Sequence, residues 1–353
     1  MHLGPRVLNR TLLHRQGLLA RSDTDPISMV EHLVGLQAQE TLPPYLSLNA
    51  RLVDFDPGVV SRALGGRDLV RLLVMRGTIH LLTPADALTL RQFSQPCQDR
   101  ERRSSQNVRE AAHLDPSDIR RAVDAVLADG PLPVRVLGEA LAQRFPGVAP
   151  AQLGQLARVD SPLVQVPPRG QWAASGGVIY QRVDTWLDAP LTEPDVPAIV
   201  RRYLRAFGPA LAADVTTWSG VTRLGPVLAA MEDLVRHTDE QGRVLYDVAD
   251  GEIVEEAPAP ARLLGTYDNI WLSHRARDRV TDPAKRSHWM GPNGGAGMAL
   301  FVDGWLEGLW RVTDGVPEVL AEFRRFSRSE RRELDDELAR VEALLAVRAS
   351  RDA

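Results

Sequence analysis

The chain has 353 residues, of which 44% are hydrophobic and 25% are charged, and its formal net charge is −4. These values exclude a disordered chain and a uniformly basic nucleic-acid binder, although a local basic patch is compatible with them. The length is sufficient for two or three small domains. Cys97 is the single cysteine, which excludes an intrachain disulfide framework and a CxxC metal site. No signal peptide is recognisable and no apolar run reaches the ~18 residues of a membrane helix, so we expect a cytoplasmic protein that does not contact a membrane.

Three sets of helices are predicted by apolar residues that recur at three- and four-residue spacing. They cover residues 8–20 and 28–39, then 115–130, 134–145 and 151–158, and finally 196–207, 210–220 and 225–235. Each set runs into a Leu-Val pair and a short extended hairpin with a glycine turn signal, at 68–82, 161–180 and 233–248. Helices followed by a two-stranded wing are typical of winged-helix units. We therefore predict an α+β, mostly helical protein with three tandem winged-helix units, residues 1–112, 113–192 and 193–257.

The remaining part, residues 258–353, is predicted to be rich in β-structure. Candidate strands occupy 261–274, 297–312 and 317–323, and Asp303-Gly304 is a hairpin turn of the Asp-Gly type. The last predicted helix, 328–348, carries leucines and valine on one stripe of an otherwise charged surface. We expect that stripe to pack on the sheet.

Gln37 and Gln39 are separated by one small residue at the end of a predicted helix. On an intact helix, side chains at i and i+2 point roughly 200° apart, so the two amides could not serve one site. They converge only if the helix frays or ends between them, and Pro43 and Pro44 favour an ending nearby. The alternative is that both are polar residues on a solvated helix end.

Arg76, Thr78 and His80 alternate in a predicted strand, so we expect them to share one face. Such a face beside a winged helix is suited to contact phosphate groups. The alternative for His80 is a structural hydrogen bond. Arginine supplies nearly all of the basic charge, since Lys285 is the one lysine. Arginine binds phosphate in a bidentate manner, although a GC-rich genome would also favour it.

A second polar stretch begins at Tyr267 with the sequence YDNIWLSHRARDRV. Asp268 is a candidate supporting residue, and the stretch with its basic continuation contains the other candidate DNA contacts. These are Asn269, Ser273, His274, Arg275, Arg277, Arg279, Lys285 and Arg286. The alternative is a solvated loop with internal salt bridges. The chain lacks HExxH, GxSxG and Rossmann fingerprints, so we expect no metal and no cofactor.

Four blocks together resemble the AlkZ-like winged-helix DNA glycosylases. They are LVGLQAQE, VMRGTIHLLTPAD, YDNIWLSHRARDRV and LFVDGWLEGLWRV, in this order along almost the whole chain. The resemblance implies winged helices in a C-shape around a DNA-sized cleft, and excision of N7-alkylated purines by a monofunctional enzyme. It also implies action on bulky adducts and interstrand crosslinks, and self-resistance to DNA-alkylating natural products. Arg275-Ala276 departs from the third block, where an Ala-Asp pair is expected before the first arginine.

The same resemblance places the catalytic Gln-aliphatic-Gln motif of the self-resistance branch on Gln37 and Gln39. It implies a monomer that acts on double-stranded DNA with alkylated purines, without a cofactor. Two alternatives stay open at this point. One is a non-enzymatic winged-helix DNA-binding protein or transcriptional regulator, and the other is a scaffold that has lost activity.

Overall fold

A computed structural model describes residues 1–291, 294–295 and 298–352. Its first part alternates short helices with short strands. The helices are α1 Pro5–Arg15, α2 Pro26–His32, α3 Pro43–Arg51, α4 Pro57–Gly66, α5 Pro84–Phe93 and α6 Gln95–Ser104. The strands are β1 His2–Leu3, β2 Leu36–Gln37, β3 Val70–Leu73 and β4 Ile79–Leu82. Proline opens every one of these helices except α6, where it is the second residue, because its fixed φ suits the first turn. The helices α3 to α6 were not predicted.

The middle part contains the second and third sets of helices. The second set and its strands are α7 Pro116–Val126, β5 Leu132–Pro133, α8 Val134–Arg144, α9 Pro150–Asp160, β6 Leu163–Gln165, β7 Ile179–Arg182 and α10 Val183–Leu187. The third set is α11 Val196–Phe207, α12 Ala212–Ser219 and α13 Gly225–Ala230, followed by β8 Leu234–Asp239 and β9 Val244–Val248. Antiparallel pairs β3–β4, β6–β7 and β8–β9 lie where the three hairpins were predicted.

These hairpins do not stand apart as three separate wings. β3 also pairs with β6, which joins the first two hairpins in one sheet with the order β2-β4-β3-β6-β7-β5. The third hairpin gains β1 through a parallel pair with β8. The described chain is therefore a mixed helical and β-structure in which sheets cross the expected boundaries. The division into winged-helix units stays a prediction.

The last part forms a sheet with the order β10-β13-β14-β15, covered by the C-terminal helix. Its elements are β10 Arg262–Leu264, α14 Asn269–Leu272, α15 Pro283–Trp289, β11 Met290–Gly291, β12 Gly294–Gly295, β13 Met298–Val302, β14 Trp305–Thr313, β15 Val316–Glu322 and α16 Arg328–Asp352. Asp303 and Gly304 both have positive φ at the predicted hairpin turn. Leu334 and Val341 of α16 are buried, as the apolar stripe predicted. The predicted strand 261–274 is wrong beyond Leu264, because its second half forms the short α14.

Two large apolar clusters hold the parts together. One includes Leu12 from α1 and Phe301 from β13, and the other includes Leu36 from β2 and Leu300 from β13. Residues from both ends of the chain thus share each core. In the described residues, no helix has the length and apolar character needed to span a bilayer.

Candidate active site

The turn before the glutamine pair ends helix α2 earlier than predicted. The helix stops at His32, and the amide of Gly35 donates to the carbonyl of Val30 at 2.9 Å. This bond and the left-handed conformation of Val34, at φ 53, form a Schellman motif. Gly35 follows at φ 92, a region that glycine adopts without a steric penalty. The chain is therefore extended before it reaches Gln37.

The glutamine pair lies at the edge of the six-stranded sheet. Gln37 belongs to β2, and the pairing continues at Ala38, whose amide donates to a β4 carbonyl at 2.7 Å. Strand β2 ends at Gln37 and Gln39 lies in a bend, with the fully buried Ala38 between them. The requirement that a helix end around Ala38 is corrected, because α2 already ends at His32. Both amides bond groups at the start of β4, Gln37 through Arg76 in the preceding connection and Gln39 through the Ile79 amide.

Both side-chain amides are held by their oxygen atoms. Gln37 Oε1 accepts from Arg76 Nη2 at 3.1 Å, and Gln39 Oε1 accepts from the backbone amide of Ile79 at 3.2 Å. Guanidinium and backbone N–H groups are donors only, so the partners determine which end of each amide carries the oxygen. Among the residues that the structure describes, neither Nε2 atom has an acceptor. Both NH2 groups are therefore free to bind another molecule.

The prediction that Arg76, Thr78 and His80 share one strand face is wrong. The β3–β4 connection contains a 3-10 turn instead, with Arg76 in the left-handed region at φ 56. Arg76 Nη1 donates to the Trp218 carbonyl in α12, and Nη2 lies 3.1 Å from His80 Nε2 as well as from Gln37. The Thr78 hydroxyl turns back to a carbonyl of its own turn. Arg76 and His80 are thus brought together with Gln37, while Thr78 is partly exposed beside them.

His80 is a buried, neutral histidine. Its Nδ1 lies 3.0 Å from the Thr78 carbonyl, which can only accept, so Nδ1 carries the proton and Nε2 is free to accept from Arg76. Burial first, and then repulsion from the Arg76 guanidinium, lower the pKa of His80 to about 3. The structural hydrogen bond considered as an alternative from the sequence is therefore present.

Arg71 is a supporting residue that sequence reasoning missed. Its side chain is 1% exposed, and Nη2 donates to the Ala38 carbonyl at 2.7 Å, between the two glutamines. Burial lowers the pKa of Arg71 to about 10, and repulsion from Arg169 adds to this effect. A charged residue inside the apolar strand Val70–Leu73 was the available signal, because a buried guanidinium needs an acceptor.

Asp268 and Asn269 make different contacts in the interior, the first with helix α3 and the second with the turn before the glutamine segment. Asp268 accepts a bidentate pair from Arg51 at 2.7 and 2.8 Å and a bond from the Ser47 hydroxyl at 2.6 Å. Burial would raise the pKa of Asp268. The charge of the Arg51 guanidinium and the hydrogen bonds from Arg51, Ser47 and the Ile270 amide outweigh burial and hold that pKa below its usual value. Asn269 Nδ2 donates to the Gly35 carbonyl at 2.9 Å. The supporting role of Asp268 stays a prediction, whereas the prediction that Asn269 contacts DNA is corrected because its side chain is buried.

Three more predicted DNA contacts lie in the interior. Ser273, His274 and Arg279 are 0%, 3% and 8% exposed. The hydroxyl of Ser273 lies 3.0 Å from His274 Nδ1, and the Tyr203 hydroxyl donates to the Ser273 carbonyl at 2.7 Å. Burial first, and then repulsion from Arg279, hold the pKa of His274 well below its usual value. The structure assigns these side chains to packing rather than to direct contact with DNA.

Comparison with known proteins identifies the family of this chain. A family model described as "DNA glycosylase AlkZ-like" matches residues 30–344. The chain belongs to the AlkZ-like DNA glycosylase family. A relative named "Interstrand DNA cross-link repair glycosylase", from Streptomyces sahachiroi, is 26% identical over 324 aligned residues. The alignment covers 86% of this chain and 86% of the relative. The solved structure of Streptomyces sahachiroi DNA glycosylase AlkZ is similar with a TM-score of 0.79 at 21% identity, over 98% of each chain, which shows the fold.

The remaining basic residues of this AlkZ-like chain differ in how their charge is used. Lys285 forms a 2.6 Å ion pair with Glu307, so most of its charge is matched within the protein. Arg275 is exposed, and Arg277 and Arg286 are partly exposed. Burial lowers the pKa of Arg277, and repulsion from Arg286 lowers it further. Those three arginines form no ion pair among the described residues, and they stay predicted DNA contacts.

Two open pockets of the AlkZ-like chain lie away from the glutamine pair. One of about 520 Å³ is lined by His14, His32 and Arg205 among others, and a smaller one of about 100 Å³ by Asp214 and Arg279. Neither is lined by the glutamines. Gln37 is 9% exposed and Gln39 is exposed, so the pair meets solvent at a sheet edge. In the described part of the chain, no group of three or more histidine, cysteine, aspartate or glutamate side chains has the arrangement of a metal site.

Proposed function

We propose that this protein is a monofunctional DNA glycosylase that excises N7-alkylated purines, including bulky adducts and interstrand crosslinks, from double-stranded DNA. It acts as a monomer in the cytoplasm, with no cofactor. Its Gln37-Ala38-Gln39 segment is the catalytic Gln-aliphatic-Gln motif of the self-resistance branch. Family membership supports the glycosylase class, and the name of the Streptomyces sahachiroi relative supports crosslink repair as the biological setting.

One observation carries the proposal. Two glutamine amides lie two residues apart at the edge of the six-stranded sheet, each with its oxygen held by a donor and its NH2 group free. Three further contacts hold that segment. Arg71 donates to the carbonyl of Ala38, and the amide of Ala38 donates to β4. Asn269 donates to the Gly35 carbonyl in the preceding turn. Positioning at this level is what a reaction needs when the catalyst contributes geometry more than acid or base strength.

The chemistry is compatible with a site that works without a carboxylate pair. Alkylation at N7 gives guanine a positive charge, so the base leaves as a neutral molecule without protonation. The remaining demands are a cation-like sugar and a water that attacks C1′, which glycoside hydrolases meet with two carboxylates. A carbonyl oxygen has two lone pairs, so each glutamine Oε1 retains one for the water or the sugar. Each free NH2 group can donate to a phosphate or a deoxyribose oxygen.

Arg76 gives the two glutamine amides different hydrogen-bonding roles. Its cationic group bonds Gln37 Oε1 directly, which polarises that amide toward donation from Nε2. Gln39 Oε1 instead accepts from a neutral backbone amide and so remains the better acceptor. We assign Gln37 to hold a DNA oxygen and Gln39 to orient the water. An uncharged normal base would be a poor leaving group in such a site, which provides selectivity for alkylated bases.

DNA affinity follows phosphate chemistry. Arg275, Arg277 and Arg286 lie outside the ion pairs and are exposed or partly exposed, so they are proposed to contact the backbone. The exposed sheet edge at Gln39 suits a bulky or crosslinked base that cannot be flipped into a deep pocket. Three winged-helix units around a DNA-sized concavity would provide the surface for this interaction.

The deciding experiment is base release from duplex DNA that contains a single N7-methylguanine, read as strand breaks after alkali. Wild type should release the methylated base and leave an undamaged duplex intact. Gln37→Ala combined with Gln39→Ala should abolish most of the release. Gln106→Ala, at an exposed position in the 3-10 turn Gln106–Val108, should behave as wild type.

Two results would contradict the proposal in different ways. Wild type that binds the duplex but releases neither N7-methylguanine nor a bulkier N7 adduct would indicate a non-enzymatic DNA-binding protein. A double glutamine variant as active as wild type would leave the activity intact and remove the assigned site.

A further inference from the structure

Arg76 is surrounded by neutral acceptors. Its guanidinium donates to the Trp218 carbonyl, to Gln37 Oε1 at 3.1 Å and to His80 Nε2 at 3.1 Å. Within the described residues it has no carboxylate partner. An arginine whose role is structural neutralisation would be paired with an acid, as Arg51 is with Asp268. The environment of Arg76 instead fixes the direction of its N–H groups.

The acceptor role of His80 is itself fixed. The Thr78 carbonyl takes the Nδ1 proton, which leaves Nε2 as the acceptor that faces Arg76. His80 is 1% exposed and pairs with Gln37 across the β2–β4 ladder. The ring and the Gln37 amide lie side by side across this ladder, and both accept from the same atom, Arg76 Nη2.

The backbone of Arg76 is held by a neighbouring helix end. A Cβ added to Gly220, just after α12, would lie 3.1 Å from both the Cα and the N of Arg76 and 2.9 Å from Cys97 Sγ. This contact leaves no room for a side chain at Gly220. Together with the bond to the Trp218 carbonyl, it fixes Arg76 from the side opposite Gln37. Rotating the guanidinium toward a DNA phosphate would break all three bonds.

We propose that Arg76 is a positioning residue that acts through Gln37, with His80 as its fixed acceptor, and that it does not contact DNA. The inference rests on the proposed glycosylase function. Arg76 holds the Gln37 amide with Nε2 directed away from the protein, toward the bound DNA oxygen, and its charge makes that NH2 group a stronger donor. Through the Trp218 carbonyl it also ties this orientation to the α12 end.

The test separates positioning from phosphate contact by measuring two quantities on the same duplex with N7-methylguanine. One is the single-turnover rate of base release at saturating enzyme, and the other is the salt dependence of the dissociation constant. Arg76→Met should lower the saturated rate by about tenfold or more, as a misplaced group does. The slope of log Kd against log salt should be unchanged, whereas loss of one phosphate contact would reduce it by about 0.9.

Two further variants remove the ambiguity of a damaged fold. Arg76→Lys retains the charge but lacks the planar fork that reaches three acceptors, so it should also lose rate. The matched control is Arg100→Met, because Arg100 donates to the Gly220 carbonyl at the same helix end without contacting Gln37. This control should retain the wild-type rate. If Arg76→Met does not fold, Arg76→Lys gives the decision alone, since a phosphate contact would tolerate lysine.

A double-mutant cycle shows whether Arg76 acts through Gln37. In the Gln37→Ala background, Arg76→Met should cause less than about a twofold further loss, because the amide it positions is absent. Multiplicative losses would overturn the inference, as would an unchanged saturated rate or a reduced salt slope. These results leave wild-type base release intact, so they are distinct from failure of the proposed function, in which wild type itself releases no base.

Discussion

Two polar regions that look alike in sequence have opposite arrangements of charge. In the 268–279 segment, Asp268 matches the buried Arg51 guanidinium in a bidentate ion pair, and the neighbouring polar side chains face the interior. In the β3–β4 connection, Arg76 bonds only neutral acceptors, one of which is Gln37 at the exposed sheet edge. A charge that is matched by an acid serves mainly to hold the fold. A charge left unmatched beside an amide with a free NH2 group can act on a bound molecule through that amide.

The difference has a physical consequence for each region. Removing one partner of a buried ion pair leaves an uncompensated charge, so substitution of Asp268 and of the other buried side chains in the 268–279 segment should lower stability. The glutamine edge is partly exposed and makes few buried contacts through its NH2 groups, so it should respond in rate. Substitutions that exchange these responses would contradict the distinction.

The largest expected effect is on stability, from Asp268→Ala. The substitution leaves Arg51 buried without its acid and removes the acceptor of the Ser47 hydroxyl. We expect the free energy of unfolding to fall by about 3–5 kcal/mol, measured by urea denaturation. Glu139→Gln breaks the exposed pair with Arg135 and serves as the control, with stability near wild type. A wild-type midpoint for Asp268→Ala would show that the pair does not hold the segment.

The next largest effect is on how stability depends on pH, through His80 in β4. The pKa of His80 is lowered to about 3 in the folded chain, and an unfolded histidine titrates near 6.5. Below about pH 6.5 the unfolded state therefore binds a proton that the folded state does not. Stability contributed by neutral His80 should be present above that pH and decrease by roughly 1.4 kcal/mol per unit as pH falls toward 3.

His80→Gln carries an amide oxygen at about the reach of Nε2, so it retains an acceptor for Arg76 and removes the titration. Its unfolding free energy should depend less steeply on pH than that of wild type between about pH 6 and 4.5. Carboxylates that titrate in this window, such as Asp160, whose pKa burial raises to about 6, are common to both proteins and cancel in the difference. His274 contributes to the slope of both proteins and cancels in the difference. Parallel curves for the two proteins would show that His80 is not held neutral.

The smallest effect is expected at the exposed end of the 268–279 segment. Arg275 is exposed and forms no side-chain ion pair among the described residues, so Arg275→Met should leave stability and the saturated rate of base release unchanged. Its slope of log Kd against log salt should fall by about 0.9 if it contacts one phosphate. Fluorescence anisotropy with labelled duplex across a salt series measures this, and an unchanged slope would place Arg275 outside the DNA interface.

Local patterns were sufficient where local physics determines the structure. Helix α11 spans Val196–Phe207 as predicted, because Asp195 caps its start and Gly208 follows its end. The Asp303-Gly304 hairpin was predictable from its turn residues alone. The resemblance of four blocks supplied the glutamine pair as site residues, a role that remains proposed.

Long-range contacts explain what the sequence could not show. Asn269 reaches the Gly35 carbonyl, and Arg51 reaches Asp268, across more than half of the chain. No periodicity indicates such partners, so the sequence pattern predicts a DNA-binding surface where the structure has a buried cluster. The early end of α2 had a local signal in Gly35, but the left-handed Val34 before it is a conformation that sequence rules disfavour.

The most direct test is single-turnover base release by Gln39→Ala, measured at saturating enzyme on duplex with N7-methylguanine. It compares the effect of one substitution on the rate with its effect on stability. We predict a rate at least about tenfold below wild type, as expected for loss of a group that orients the reacting water. The urea midpoint of the same preparation should match wild type, since Gln39 is exposed and bonds only the Ile79 amide. A wild-type rate, or a lost rate that tracks a lost midpoint, would contradict the assignment of chemistry to this edge.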